Sequence, residues 1–400
     1  MTKLEQLIKE LCPNGVKYYT LNSVCNVYDG THQTPQYTES GIKFASVENI
    51  ADPYATEKYI SVSDYEKYKI KPQRNDLLMT RIGSIGVCTV LESDEPLAYY
   101  VSLALLRPNN EVLNSRYLKY AIESLYCRKE LRKRTLVNAV PIKINMGDIG
   151  KIRLPVPPLP VQSEIVRILD NFTELTAELT AELTARKQQY DYYNNILLSF
   201  DNPTYQTLEE LCDIVDYRGK TPRKVDEGIF LVTAKNIRKG FIDYDKSKEY
   251  ISPEDYDEVM HRGFPKMGDV LITTEAPCGN VAQIDNENIA LAQRVIKYRP
   301  KSNNLNSTFL KYVLLGKEFQ DKLERAATGG TVKGIKGSKL HKLTIPVPPI
   351  EEQERIVEIL ERFDTLCNDI SEGLPAEIEG RRKQYEHYRD KLLTFKELSK

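Results

Sequence analysis

The chain repeats itself with a period of about 190 residues, far longer than the 20–50 residues of solenoid repeats. The pentapeptide Leu-Pro-Val-Pro-Pro at 154–158 returns as Ile-Pro-Val-Pro-Pro at 345–349. The positions that follow match in the same order: Gln162, Ile165, Val166, Ile168, Leu169 and Phe172 against Gln353, Ile356, Val357, Ile359, Leu360 and Phe363. A repeat of this length indicates a duplicated domain, so we expect two copies of one unit.

The stretch before each Pro-rich segment repeats more loosely. A Gly-Ile pair at 41–42 returns at 228–229, an apolar run after Asp76 returns after Asp269, and an Asn-Ser pair at 114–115 returns at 306–307. Between these landmarks the copies diverge freely. One scaffold with two different variable surfaces is what two readers of different targets require.

Each copy has short apolar runs separated by Gly, Pro and Asp turns, then a helical pattern, then a basic loop containing Gly. Ser115 and Ser307 are the predicted N-caps of those helices. The fold class predicted is α+β: two mixed α/β globules joined by two long helices.

The long helices carry coiled-coil spacing. The first is predicted from Pro160 to about Phe200, roughly 57 Å at 1.5 Å per residue, with apolar residues three and four apart. The second copy supplies a partner for an antiparallel coiled coil, but Gly373, Pro375 and Gly380 fall inside it. Because an internal proline breaks a helix, we expect a kink, or a restart with Pro375 in the first turn.

A direct tetrapeptide repeat, Thr-Ala-Glu-Leu, fills residues 176–183 of the first helix. From Phe172 to Tyr190 is 18 residues, whereas Phe363 to Tyr385 is 22, so the two helices differ by one such unit. A coiled coil absorbs a four-residue step by local unwinding. The segment is either a low-complexity helix former or a place where helix length is adjusted.

Composition excludes several classes of protein. With 400 residues, 41% hydrophobic and 28% charged, the chain is neither disordered nor fibrous. Its seven cysteines and four histidines are scattered, with no Cys-x-x-Cys pair, so we expect reduced, buried thiols and neither a metal site nor a catalytic triad. No apolar run reaches the roughly 20 residues of a membrane span, and residues 1–11 lack a signal-peptide core. A prokaryotic cytoplasmic protein is expected.

The formal net charge of −1 conceals two basic segments. Residues 116–153 hold ten Lys/Arg against three Asp/Glu, and residues 294–342 hold twelve against three. One such segment alone is typical of a solvated helix face. Two, at corresponding places in a duplicated chain, favour binding to a polyanion such as DNA.

Taken together, the two Pro-Val-Pro-Pro segments, the Gln-x-x-Ile-Val stretches at 162–166 and 353–357, the Lys-Gln-Gln-Tyr and Arg-Lys-Gln-Tyr helices and the Thr-Ala-Glu-Leu repeat resemble the specificity (S) subunits of type I restriction-modification systems. The resemblance covers essentially the whole chain. It implies target recognition domains at 1–154, with an N-terminal helix at 2–11, and at 201–345, and conserved spacer helices at 155–200 and 346–400.

The same resemblance implies function and partners. Each globule would read half of an asymmetric, bipartite site in double-stranded DNA, and the antiparallel helices would hold the globules about one duplex turn apart, about 34 Å. The helices would also bind two adenine-N6 methyltransferase subunits, to which restriction subunits add. S-adenosylmethionine, ATP and Mg are expected only on those partners, with no cofactor or catalytic residue on this chain.

Candidate DNA contacts are polar or basic residues of the basic segments and of the diverged loops. In the first globule they are Thr31, Gln33, Thr34, Arg81, Ser84, Arg134, Asn138 and Lys143. In the second they are Arg218, Lys220, Thr221, Lys235, Thr274, Thr331, Lys333 and Lys336. The run Gly-Gly-Thr-Val-Lys-Gly at 329–334 lacks the order of a nucleotide-binding P-loop, so we interpret it as a loop that contacts the DNA backbone.

Other readings stay open at this stage. Asn-Pro-Thr-Tyr at 202–205 faintly resembles the Asn-Pro-Pro-Tyr loop of adenine methyltransferases, but no Gly-rich cofactor loop precedes it. The chain is otherwise a coiled-coil scaffold that binds proteins, or a specificity factor for an orphan methyltransferase without a restriction partner.

Overall fold

A computed structural model describes residues 2–217, 222–329, 333–368 and 373–398. The chain divides into two compact units, the first formed by residues 1–180 and 377–400 and the second by residues 181–376. Each unit therefore combines one globule with parts of the long helices. The division falls inside the tetrapeptide repeat and not at the ends of the predicted domains, because the helices pack with the globules.

The described part of the first unit contains six short α-helices, two 3-10 helices (Val47–Asn49 and Pro53–Ala55) and twelve strands before the long helix. The helices are α1 (Lys3–Leu11), α2 (Leu21–Val24), α3 (Val62–Tyr65), α4 (Ser115–Glu123), α5 (Leu125–Arg134) and α6 (Met146–Ile149). The strands are β1 (Tyr18–Thr20), β2 (Cys25–Asp29), β3 (Tyr37–Thr38), β4 (Ile42–Ala45), β5 (Tyr59–Ile60), β6 (Leu77–Thr80), β7 (Cys88–Val90), β8 (Leu97–Tyr99), β9 (Leu103–Pro108), β10 (Thr135–Leu136), β11 (Lys143–Ile144) and β12 (Arg153–Pro155).

The long helix α7 (Leu159–Leu197) leads into the second unit. Its strands are β13 (Tyr205–Thr207), β14 (Cys212–Asp216), β15 (Lys224–Val225), β16 (Ile229–Val232), β17 (Tyr250–Ile251), β18 (Val270–Thr274), β19 (Cys278–Gln283), β20 (Ile289–Leu291), β21 (Val295–Pro300) and β22 (Thr344–Pro346). Its helices are α8 (Leu208–Leu211), α9 (Tyr256–Val259), α10 (Ser307–Leu315), α11 (Lys317–Ala326), α12 (Gly337–Leu340) and α13 (Ile350–Asn368), after which α14 (Leu374–Leu392) ends the helical part of the chain.

Both units have the same sheet topology, which confirms the duplication. A sheet of order β2-β9-β6-β7 corresponds to β14-β21-β18-β19, and a second sheet of order β3-β5-β4-β8 corresponds to β15-β17-β16-β20. The second sheets share one parallel pair each, β4 with β8 and β16 with β20. The pairs β1-β12 and β13-β22 connect the start of each globule to its Pro-rich end.

The central strands explain why their sequences are continuously apolar. In β6, Leu77 and Met79 pack into the core that contains α4 and the start of α7, whereas Leu78 packs on the opposite face of the sheet. In β18, Val270 and Ile272 face the corresponding helical core and Leu271 the other side. A strand that is buried on both faces loses the alternating pattern of a half-exposed strand.

The repeated Gly-Ile pair has a steric cause. Gly41 adopts φ +139°, and a Cβ at this position would lie 2.3 Å from the carbonyl oxygen of Ile60. Gly228 adopts φ +150° and its Cβ would lie 2.2 Å from the carbonyl oxygen of Ile251. Only glycine fits this backbone beside the neighbouring strand, which accounts for its recurrence in both copies.

The long helices have the coiled-coil periodicity predicted. Along α7 the half-buried positions are four and three residues apart: Phe172, Thr176, Leu179, Leu183, Arg186, Tyr190, Asn194 and Leu197. In the first unit Phe172 stacks on Tyr388, and in the second Tyr193 stacks on Phe363. The partner positions therefore descend as those in α7 ascend, which is the order of an antiparallel pair.

Two local predictions have clear outcomes. The second helix does restart, since Pro375 is the second residue of α14. The N-cap prediction was wrong by one residue: Asn114 caps α4 and Asn306 caps α10, each accepting backbone N–H hydrogen bonds on its side chain. Ser115 instead donates its hydroxyl to the carbonyl oxygen of Asn75 at 2.6 Å, which ties the helix to the preceding strand loop.

Candidate nucleic-acid interface

The candidate interface of the first unit lies at one edge of its central sheet. Strands β2 and β6 both run antiparallel to β9, so their carboxyl ends lie at the same edge. The loop that begins with Thr31 follows β2, and Arg81 follows β6. A hairpin formed by β10 and β11 lies at the same edge, because the Ile144 N–H at its base donates to the carbonyl oxygen of Arg81 at 3.0 Å.

The structure places the candidate residues of the first unit on these loops and on the end of α5. Thr31 is half-buried, and its backbone pairs with Tyr99 and Val101. Four residues are exposed on the loops or on the hairpin: Gln33, Thr34, Ser84 and Asn138. Lys143 is exposed on β11 and forms a β-bridge with Ile82. Candidate residues as far apart in the sequence as Thr31 and Lys143, 112 residues, therefore lie at the same edge of the sheet.

Arg81 is engaged inside the unit. Its guanidinium Nη1 donates to Asp29 at the end of β2 at 2.5 Å, and its Nε donates to the carbonyl oxygen of Ile144 at 3.4 Å. Only 9% of its side chain is exposed. This geometry favours a positioning role, in which Arg81 ties β2, β6 and the hairpin together, over direct contact with DNA.

Helix α5 supplies the positive charge beside the edge. The predicted contact Arg134 pairs with Glu130 at 2.8 Å, which also pairs with Lys133 at 2.9 Å. Hydrogen bonds from Lys133 and then Arg134 lower the pKa of Glu130. Sequence reasoning missed the other cations of this helix, Arg128, Lys129 and Arg132, which are exposed and form no ion pair with any described residue.

The second unit repeats the edge with different side chains. Thr274 ends β18 at the position of Arg81, and Glu275 forms a β-bridge with Gly334 where Ile82 pairs with Lys143. The Ile335 N–H donates to the carbonyl oxygen of Thr274 at 2.9 Å. The backbone frame is thus conserved between units while the side chains on it change in charge and polarity.

The predicted DNA-contact residues of the second unit differ in exposure, and some of them lie outside the described residues. Thr274 is buried and donates its hydroxyl to the carbonyl oxygen of Arg294 at 3.3 Å, which favours a structural role. Lys235 and Lys336 are exposed, and Lys333 is exposed and pairs with Glu324 at 2.5 Å. The other four candidates lie outside the described residues: Arg218, Lys220, Thr221 and Thr331. Half of the Gly-rich run at 329–334, residues 330–332, falls outside them too.

A polar pocket of about 430 Å³ opens at this edge of the second unit. Its lining includes Glu275, Gln293, Arg294 and Lys336. Arg294 lies 3.5 Å from the Glu275 carboxylate and adopts φ +70°, a strained backbone for a residue other than glycine. Sequence reasoning missed the first three, although divergence from Ile82, Val101 and Ser102 at corresponding positions could have indicated them.

The second basic segment is partly structural. Lys297 is buried on β21, 3.4 Å from Asp269, and burial lowers the pKa of its ammonium group. Arg299 forms two hydrogen bonds to the same carboxylate, as Arg107 does to Asp76 in the first unit. These cations stabilise a buried carboxylate at the start of β18, the end away from Thr274, so the surplus charge at the edge is smaller than the sequence count.

The described residues contain no cluster of His, Cys, Asp and Glu with metal-ligand geometry. Within the same ranges, no helix is both long and apolar enough to cross a membrane. Six of the seven cysteines are buried as predicted, whereas Cys278 is half-buried.

Comparison with known proteins relates these features to one family. The model of the type I restriction modification DNA specificity domain matches residues 13–186 and again residues 204–380, one match for each copy. An Escherichia coli protein, the EcoR124I/EcoR124II type I restriction enzyme specificity subunit, is 40% identical over 61% of this chain and 63% of its own length. A putative type I restriction enzyme specificity subunit of Haemophilus influenzae is 32% identical over 71% of this chain and 73% of its own.

Solved structures show the same fold. The S subunit of a type I restriction-modification system from M. genitalium superposes with a TM-score of 0.53 at 14% identity, over 95% of this chain and 96% of that one. A chain from a study of complex assembly and conformational transition in a type I restriction-modification system gives a TM-score of 0.61 at 17% identity, over 95% and 98%. With two family matches, duplicated topology and paired helices, the chain belongs to the family of type I restriction-modification DNA specificity proteins.

Proposed function

We propose that this chain is the DNA specificity subunit of a type I restriction-modification complex in a prokaryotic cytoplasm. Each unit binds one half of a bipartite site in double-stranded DNA, and the paired helices set the spacer between the halves. The observation that carries the proposal is the repeated edge, where a conserved backbone frame presents different side chains in the two units. Family membership supports DNA as the ligand.

The half-sites differ from each other. Arg81 and Ile82 in the first unit correspond to Thr274 and Glu275 in the second, and Val101 and Ser102 correspond to the pocket residues Gln293 and Arg294. Base recognition depends on donors, acceptors and apolar groups placed at the base edges. Two edges of different chemistry therefore select different bases, and the site is asymmetric.

Catalysis belongs to partner subunits. The paired helices bind two methyltransferase subunits, to which restriction subunits add, and S-adenosylmethionine, ATP and Mg act on those partners. The methyltransferase-like segment at 202–205 supports this division, because Tyr205 pairs with Pro346 in a two-stranded sheet and donates its hydroxyl to Glu318 at 3.1 Å. Tyr205 therefore has a structural role in the β13-β22 pair.

A salt titration of DNA binding by the purified complex with methyltransferase subunits tests the proposal. Phosphate contacts release counterions, so the logarithm of the binding constant should fall linearly and steeply with the logarithm of salt concentration. A coiled-coil scaffold predicts no DNA binding at low salt, which would contradict the proposal. Tight S-adenosylmethionine binding by this chain alone would contradict the assignment of catalysis to partner subunits.

The alternative of a specificity factor for an orphan methyltransferase differs from this proposal only in the absence of restriction subunits from the complex. Affinity purification of the tagged complex from cells should recover restriction subunits together with the methyltransferase. Recovery of the methyltransferase alone would make the chain a specificity factor for methylation without restriction.

A further inference from the structure

The hairpin of β10 and β11 in the first unit ends in an exposed apolar tip. Leu136 is 44% exposed, Val137 61% and Val140 99%, and Ile142 closes the tip at 38%. Apolar side chains clustered at one exposed place are typical of a binding surface. We call residues 136–142 the apolar tip.

The unit holds the apolar tip in place through its base. The Gly83 N–H donates to the carbonyl oxygen of Ile142 at 2.9 Å, and Lys143 forms a β-bridge with Ile82. At the other strand, the Thr135 hydroxyl donates to the carbonyl oxygen of Leu131 in α5 at 2.9 Å. The tip is thus fixed to the loop after β6 and to α5, so binding orders it at a low entropic cost.

Positive charge precedes and follows the apolar tip along the chain. From Leu125 to Lys143 there are six Lys/Arg and one Asp/Glu, and that one carboxylate, Glu130, pairs with Lys133 and Arg134. The exposed cations Arg128, Lys129 and Arg132 lie on the helix that leads into the hairpin. An apolar tip flanked by cations fits a partner with negatively charged rims and an apolar group on the floor between them.

The major groove of DNA has this chemistry. Phosphates line its rims, a two-stranded ribbon fits its width of about 12 Å, and the 5-methyl of thymine is the apolar group on its floor. An anionic membrane surface has related chemistry, but proteins that enter it use aromatic and Leu-rich faces. The tip has no aromatic residue, and it lies beside the polar loops of Gln33 and Ser84.

We propose that the apolar tip enters the major groove and reads the 5-methyl groups of thymine, mainly through Val140 with Val137 beside it. This inference rests on the proposed function and assigns a chemistry to one half-site.

Deoxyuridine substitution tests the inference, since it removes only the 5-methyl group. Each thymine of the methylated target is replaced in turn in a duplex, and binding is measured for complexes with the unaltered chain, with Val140→Ala and with Val112→Ala. Val112 is 42% exposed near the start of α7, after β9, and so away from the edge where β2 and β6 end. It is a matched control of the same residue type.

The unaltered and Val112→Ala complexes should lose about fourfold in affinity for at least one deoxyuridine in one half-site, as burial of a single methyl group predicts. In Val140→Ala the same substitution should change affinity by less than about 1.5-fold, because the methyl has lost its contact. Equal losses in all three complexes, or no loss at any thymine, would overturn the inference.

Two further outcomes distinguish thymine recognition by the apolar tip from membrane binding and from an error in the proposed function. Binding of the complex to phosphatidylglycerol vesicles that depends on Val140, with no effect of deoxyuridine, would overturn the inference in favour of a membrane surface. Failure of the unaltered complex to bind any duplex would overturn the proposed function itself.

Discussion

The side-chain oxygen of Gln162 accepts a hydrogen bond from the backbone N–H of Asn114 at 2.8 Å. The same side chain is fully buried, and its nitrogen donates to the carbonyl oxygens of Val112 and Pro157 at 2.8 and 2.7 Å. Gln353 repeats all three bonds in the second unit, with Asn306 in the place of Asn114. One amide in each unit therefore fastens the start of a long helix to the loop that precedes α4 in the first unit and α10 in the second.

Replacement of this amide should weaken the unit strongly. Gln162→Leu leaves one N–H and two carbonyl groups unpaired in a buried place, so we expect a loss of about 3 kcal/mol in the free energy of unfolding. Urea denaturation measures the loss. Gln188→Leu, at an exposed position on α7, is the control and should change stability by less than about 0.5 kcal/mol. Equal effects of both substitutions would contradict the fastening role.

The sequence predicted the large-scale organisation because periodicity and duplication survive divergence. The Gln-x-x-Ile-Val stretch recurs because Gln162 and Gln353 each satisfy three buried backbone groups. Gly41 and Gly228 recur because no side chain fits their backbone. The restart at Pro375 followed from proline chemistry, since only the first turn of a helix tolerates its missing N–H.

The candidate site was less predictable, because a sequence count of charge does not show internal partners. Arg81 pairs with Asp29, 52 residues earlier in the chain, and Arg299 pairs with Asp269, 30 residues earlier. Long-range pairs of this kind have no local signature. The exposed cations of α5 and the apolar tip became visible only when the fold placed α5, β6 and the hairpin side by side.

Substitution of Lys143 should affect DNA binding, whereas substitution of Arg81 should affect the stability of the fold. Lys143→Ala removes an exposed cation at the edge, so it should weaken DNA binding alike across sequences and lower the salt slope by about one, with stability unchanged. Arg81→Met removes a buried partner of Asp29 and should lower the unfolding free energy by about 2 kcal/mol. Anisotropy titrations and urea denaturation measure the two effects. A normal stability of Arg81→Met would contradict its positioning role.

The tetrapeptide repeat should set the distance between half-sites. Deletion of residues 180–183 removes about 6 Å of helix, under two base pairs, while the four-residue step preserves the seam. Methylated-site mapping should show unchanged half-sites at a shorter spacing. Replacement of Thr180, Glu182 and Leu183 by alanine keeps the helix length and should leave the spacing unchanged. An unaltered spacing between half-sites in the deletion variant would contradict a role of the tetrapeptide repeat in setting that distance.

Acid should weaken an ion cluster at the start of α7. Glu164 is buried and lies 2.7 Å from Arg167 and 3.0 Å from Lys3, and the hydrogen bond from Arg167 is the main cause that lowers its pKa from 4.5 to about 2. Because the folded-state pKa is depressed, the carboxylate stabilises the fold above about pH 4.5, and this contribution is lost as the pH falls towards 2.

Comparison with Glu164→Gln isolates this contribution. The variant should be about 1 kcal/mol less stable at pH 7 in urea denaturation, a modest value because both cations are exposed. The difference should narrow below pH 4.5. A difference that stays constant from pH 7 to pH 3 would contradict the assignment.

Single-molecule methylome sequencing of cells that carry this chain with its methyltransferase subunits tests the central claim most directly. The account predicts methylated adenines within an asymmetric motif of two unequal half-sites, separated by a spacer of fixed length in which any base is accepted. A palindromic or uninterrupted motif, or a genome without methylation that depends on this chain, would contradict two unequal recognition units on a common helical spacer.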